Sequence, residues 1–156
     1  MVDIVFDGSI TLSQTAGIIG TTTNNDADAG SVGEYIESVV LDSSPVGITT
    51  ATVANVTSIS LTAGDWDLMG SVRITLSTTT ESSDRRGGIN SAVSLPNSIY
   101  SWIDSSSITG IKAIVQAVPP RRVSISVTTT YYLVAYSVFT VSGASAAGYI
   151  AARRVR

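Results

Sequence analysis

From residue 66 to residue 77 the chain reads Trp-Asp-Leu-Met-Gly-Ser-Val-Arg-Ile-Thr-Leu-Ser. Trp66, Leu68, Val72, Ile74 and Leu76 fall on one face of an extended chain, with Gly70 completing the row. Asp67, Ser71, Arg73, Thr75 and Ser77 fall on the other. Period two over a full strand means a β-strand with one buried face.

The rest of the chain repeats the pattern. In residues 52–61, Thr57, Ile59 and Leu61 alternate with Ser58 and Ser60, and Thr62-Ala63-Gly64-Asp65 follows as a turn. This predicts an antiparallel hairpin with residues 66–77. Val123, Ile125 and Val127 alternate with Ser124 and Ser126, and a threonine link leads from them into residues 131–141. Residues 2–6, 10–12, 33–41, 87–95, 111–118 and 148–155 are further strand candidates, the fifth segment ending at Pro119-Pro120. Residues 78–84 and 96–110 read as loops. Helix formers are scarce, whereas Val, Ile, Thr and Tyr are plentiful. Eight or more short strands at hairpin spacing make a sandwich, jelly roll or barrel. The 156 residues suit one domain. Residues 1–20 are expected to form a short N-terminal arm or anchor, and residues 21–156 the single β-sandwich domain.

One strand differs from the others. In residues 131–141, Tyr132, Val134, Tyr136 and Val138 point one way, and Leu133, Ala135, Phe139 and Val141 the other. A strand apolar on both faces is buried on both. Another subunit covering the outer face would achieve that, so Tyr132, Val134, Tyr136 and Val138 are expected at a subunit interface.

Composition narrows the chemistry. The chain has neither Cys nor His. That removes thiolate nucleophiles and cysteine metal sites, together with the commonest general base and metal ligand. Lys112 is the one lysine, and strand alternation makes it a solvated edge residue. Asp26 and Asp28 lie in a loop without the glycine and closing glutamate of a calcium site. Asp65 and Asp67 read as turn chemistry. No catalytic residue, metal site or cofactor is expected, and the chain is expected not to be an enzyme.

Charged residues are only 13% of the chain and net charge is −3, while Ser and Thr exceed a quarter. The surface is polar but nearly uncharged, unlike that of a nucleic-acid-binding domain. Arginines come as Arg85-Arg86, Arg121-Arg122 and Arg153-Arg154. Strand neighbours point to opposite faces, so each pair sends one charge outward at most. These arginines are expected to meet carboxylates at subunit contacts or to mark strand ends. No segment reaches the length of a membrane span, and residues 1–7 lack the features of a signal peptide.

Three segments resemble small tailed-phage virion proteins. They are Gly-Ser-Val-Gly-Glu-Tyr at 30–35, Ala-Asn-Val-Thr-Ser-Ile-Ser-Leu-Thr-Ala-Gly-Asp-Trp-Asp at 54–67, and the ending from Pro120-Arg121-Arg122 through Tyr-Ile-Ala-Ala-Arg-Arg-Val-Arg at 149–156. The strand layout is similar to the tumour-necrosis-factor-like jelly rolls that cap tail needles and fibres as trimers. The resemblance implies an all-β antiparallel jelly-roll sandwich assembling as a homotrimer. It implies a knob or decoration on the virion that braces the particle or binds a host-surface component, envelope glycan or protein. The N-terminal arm would meet other virion proteins. It implies neither nucleic-acid binding nor membrane insertion. Within that reading, Arg86, Tyr100 and Trp102 are the expected ligand or partner surface, because they stand in two connecting loops, 78–86 and 96–110, with composition beyond Ser/Thr filler. The rival reading is a monomeric carbohydrate-binding β-sandwich module.

Overall fold

The computed structural model describes residues 25–77, 79–109, 113–140 and 142–156. The expected arm at 1–20, with its strands at 2–6 and 10–12, lies outside the described residues, as do Lys112 and Val141. The described elements are β1 (Tyr35–Val40), β2 (Val46–Ile48), β3 (Ala54–Leu61), β4 (Gly64–Leu76), β5 (Glu81–Asn90), β6 (Ser101–Asp104), β7 (Ile108–Thr109), β8 (Ala113–Ile125), β9 (Thr129–Thr140) and β10 (Ala144–Arg154), with one 3-10 turn at Ser98–Tyr100. No α-helix occurs among the described residues.

The strands form two antiparallel sheets. The first has the order β1-β10-β4-β8, with β2 also on β10; the second has β3-β9-β5-β6, with β7 also on β5. Leaving aside the short β2 and β7, the first long strand pairs with the last (β1 with β10), β3 with β9, β4 with β8, and β5 with β6. The topology is therefore one long antiparallel hairpin folded over into two layers. Trp66, Leu68, Val72, Ile74 and Leu76 of β4 meet Leu61, Ile89, Leu133 and Ala135 of the second sheet in a single core.

The alternation read at 66–77 holds throughout β4, but the hairpins do not form. β3 belongs to the second sheet and β4 to the first, so residues 62–63 are a corner between layers. The indole Nε1 of Trp66 donates to the Thr62 carbonyl at 3.0 Å and pins that corner. β8 and β9 likewise lie in different sheets, and Val127, expected inward, is exposed on the link between them. A hairpin and a corner make the same demand on the sequence, since in both the apolar faces of successive strands meet one core.

Other boundaries shift. Residues 81–86, expected as loop, belong to β5, and the expected loop 96–110 contains β6 and β7. β8 does not stop at Pro119-Pro120. It lies at the edge of its sheet, and its register slips there, so that two prolines oppose Met69 alone. A bulge on an edge strand is where residues without an N–H cost no ladder bond.

Candidate ligand and partner surfaces

Arginine pairs set the polar geometry. Arg85, Arg121 and Arg154 turn inward, and Arg86, Arg122 and Arg153 turn outward, as strand alternation requires. Most find carboxylates within their own chain, where subunit contacts were expected to supply them. Arg85 is fully buried; it donates through Nη2 to Asp104 Oδ2 at 2.9 Å and to the Ser106 carbonyl at 2.7 Å. Hydrogen bonds from the Ser106 side chain, from Arg85 and from the Ser106 N–H hold the Asp104 carboxyl down at about 2. At the other end of the sandwich, Arg154 donates to buried Glu34 at 2.8 Å and to the Ala63 carbonyl at 2.8 Å, with its guanidinium 4.2 Å from the Trp66 ring. Asp65 and Asp67, read as turn residues, are strand residues that bind Arg156 and Arg122.

Arg86, Tyr100 and Trp102 do not share one surface. Arg86 stands mid-strand on the outer face of the second sheet. Its fork is taken by Asp84, at 3.0 Å from Nε and 2.7 Å from Nη2, and its guanidinium lies over the Tyr136 ring at 5.6 Å. Trp102 points the opposite way, into the core, against Gly87. A Cβ at Gly87 would stand 2.5 Å from the indole Nε1, so this position has room for glycine alone. Tyr100 meets Arg121, an arginine expected to meet a carboxylate at a subunit contact or to mark a strand end. The Arg121 guanidinium of β8 lies 5.0 Å from the Tyr100 ring and 5.8 Å from the Tyr131 ring. Alternation could say that one of Arg121 and Arg122 turns inward; it could not say which rings would receive it.

Tyr132, Val134, Tyr136 and Val138 do line one face of β9, the outer face of the second sheet. Val134, however, is 0% exposed within the single chain. Its cross-strand neighbour Gly88 lies beneath the Pro96 ring, because the segment after β5 folds back over this face. A second subunit is not needed to bury Val134.

The outer face of the first sheet is more open. Tyr35 and Val39 of β1, Met69 of β4, Val115 of β8 and Tyr149 of β10 all present exposed apolar surface there. Ala147 and Ala151 form a buried floor between the larger side chains. A groove of about 640 Å³ lies between Tyr35, Met69, Arg153 and residues 25–27. Charges around this face are mostly closed on one another: Arg73 with Asp42, and Arg122 with Asp67 at 2.8 Å. The Tyr35 hydroxyl donates to Glu37 at 3.0 Å.

No family model matches the sequence, and no curated protein matches it. Among solved structures, the fold is similar to a chain in the structure of the infectious bursal disease virus Gx strain, at 11% identity and a TM-score of 0.41. That similarity covers 78% of this chain and 30% of the other, so the chain spans under a third of that neighbour's length.

Proposed function

We propose that the protein is a non-enzymatic structural component of a phage virion, a homotrimeric jelly-roll knob or decoration that braces the particle and binds a host-surface glycan. Folding one eight-strand hairpin over into two sheets is the arrangement expected of a jelly roll. The nearly uncharged Ser/Thr surface and the pattern resemblance in residues 30–35, 54–67 and 120–156 support the virion reading.

The observation that carries the assembly is the outer face of the first sheet. Its centre is apolar, through Tyr35, Met69, Val115 and Tyr149, and at its rim Arg73 pairs with Asp42 and Arg122 with Asp67. An apolar centre with a polar rim is the anatomy of a protein interface. Four strands about 4.8 Å apart and about ten residues long offer a face on the order of 600–700 Å². Each partner in a stable complex contributes roughly 800 Å². The trimer would thus close through the first sheet, and the Tyr132–Val138 face would remain on the outside.

Light scattering of the purified chain at micromolar concentration, with gold labelling of intact particles, tests the reading. Three times the chain mass and label on the virion are expected. A monomer absent from the particle would favour the carbohydrate-binding module instead.

A further inference from the structure

Among the arginines of the described residues, Arg73, Arg85, Arg86, Arg122, Arg154 and Arg156 each pair with a carboxylate. Arg153 and Arg121 do not; Arg153 is exposed, whereas Arg121 is half-buried and its Nε is enclosed without a hydrogen-bond partner. What fixes it is aromatic: the Tyr100 and Tyr131 rings at 5.0 and 5.8 Å. A guanidinium held between rings keeps its planar donor fork in one place, and that fork matches a carboxylate or phosphate. The Nη groups donate to no carboxylate of the described chain and, unlike Nε, are not enclosed. Beside them, Tyr100 is 37% exposed, and Ile99 is more exposed still. The site has the guanidinium donors, an aromatic ring and an apolar rim, and no acidic side chain of the described residues forms an ion pair with Arg121.

We propose that Arg121, with Tyr100, forms a binding site for an anion-bearing sugar. The Arg121 fork takes the charged group, and the sugar ring lies against Tyr100 and Ile99. This rests on the glycan-binding half of the reading above and names the class of glycan. A neutral saccharide leaves the fork unfilled and binds weakly. A desolvated charge-assisted hydrogen-bond pair is worth about 1.5–3 kcal/mol, which corresponds to a loss of roughly 10- to 100-fold when the fork is removed.

The test is titration of the wild-type chain and of Arg121→Gln, Arg121→Lys and Tyr100→Ala, followed by calorimetry and by NMR. Probes are trigalacturonate, glucose 6-phosphate and neutral maltotriose, with melting temperatures recorded in parallel. We expect one or both charged probes to bind, maltotriose to bind at least tenfold more weakly, and Arg121→Gln to lose the difference. Preference for trigalacturonate assigns a carboxylate, and preference for glucose 6-phosphate a phosphate. Arg121→Lys keeps the charge without the fork and should recover only part of the affinity; it also serves should the Gln variant fail to fold. Equal binding of all three probes, no binding of either charged probe at 10 mM, or full affinity in a folded Arg121→Gln overturns the site. Adsorption of the wild-type chain to host cells, measured beside these titrations, separates the two ideas. Adsorption that survives in Arg121→Gln sinks this site alone, whereas no adsorption by the wild type sinks the recognition reading itself.

Discussion

Gly64 and Arg154, ninety residues apart in sequence, occupy one space: a Cβ on Gly64 would overlap Arg154 Nη1. Gly64 also has φ +142°, a conformation that L side chains rarely adopt. The glycine at the corner between sheets thus serves two ends. It turns β4 into the other layer and it admits the guanidinium that closes the chain end.

Gly64→Ala is expected to destabilise the fold by roughly 2–4 kcal/mol, from backbone strain and displacement of Arg154. Arg154→Ala leaves buried Glu34 without its partner and should cost about 3–5 kcal/mol. Because both changes disrupt the same contact, the double variant should lose less than the sum. Urea denaturation of the four proteins measures this, and strict additivity would contradict the shared space.

Acid should weaken the fold at the opposite end. The Asp104 carboxyl is held at about 2, below its ordinary 3.8, by Ser106 and Arg85. A carboxyl depressed on folding adds stability that is complete above the unfolded value and lost as pH falls through the folded one. The window is therefore about pH 4 down to about pH 2. Glu34 titrates in the same sense: burial pushes its carboxyl up, but Arg154 and the Gly30 N–H together bring it below its usual value. Asp104→Asn should flatten the acid side of a melting-temperature profile, while lowering stability at neutral pH because Arg85 remains buried without a counter-charge.

Trp102 should behave as a core residue. Trp102→Ala is expected to cost about 3–5 kcal/mol through the cavity it leaves, and Gly87→Ala should lower the melting temperature by forcing the indole aside. Tryptophan emission that shifts to the red in Gly87→Ala would report the displaced ring, and an unchanged spectrum would place Trp102 elsewhere.

The two outer faces should respond differently to charge. Met69→Asp or Tyr149→Asp, on the first sheet, should dissociate the proposed trimer while the monomer stays folded. Tyr136→Asp, on the second, should leave assembly intact. Analytical ultracentrifugation with circular dichroism distinguishes these outcomes. Dissociation by the Tyr136 change alone would return the interface to β9.

What the sequence determined by itself was local. Side chains along a strand alternate by covalent geometry, so the faces of β4 and β9 and the inward–outward split of each arginine pair were legible without neighbours. What lay across the sandwich was not. Alternation is satisfied equally by a hairpin and by a corner, so only the tertiary structure sent β3 and β4 into different sheets. Nor does alternation say what covers an apolar face. Val134 has the pattern of an interface residue, but Pro96, from a distant segment, sits beside it over Gly88. The clamp on Arg121 joins β8, β9 and the 3-10 turn through Tyr100 and Tyr131, residues thirty-one positions apart. Contacts of that range are fixed by how the layers close, and the period of a single strand carries no record of them.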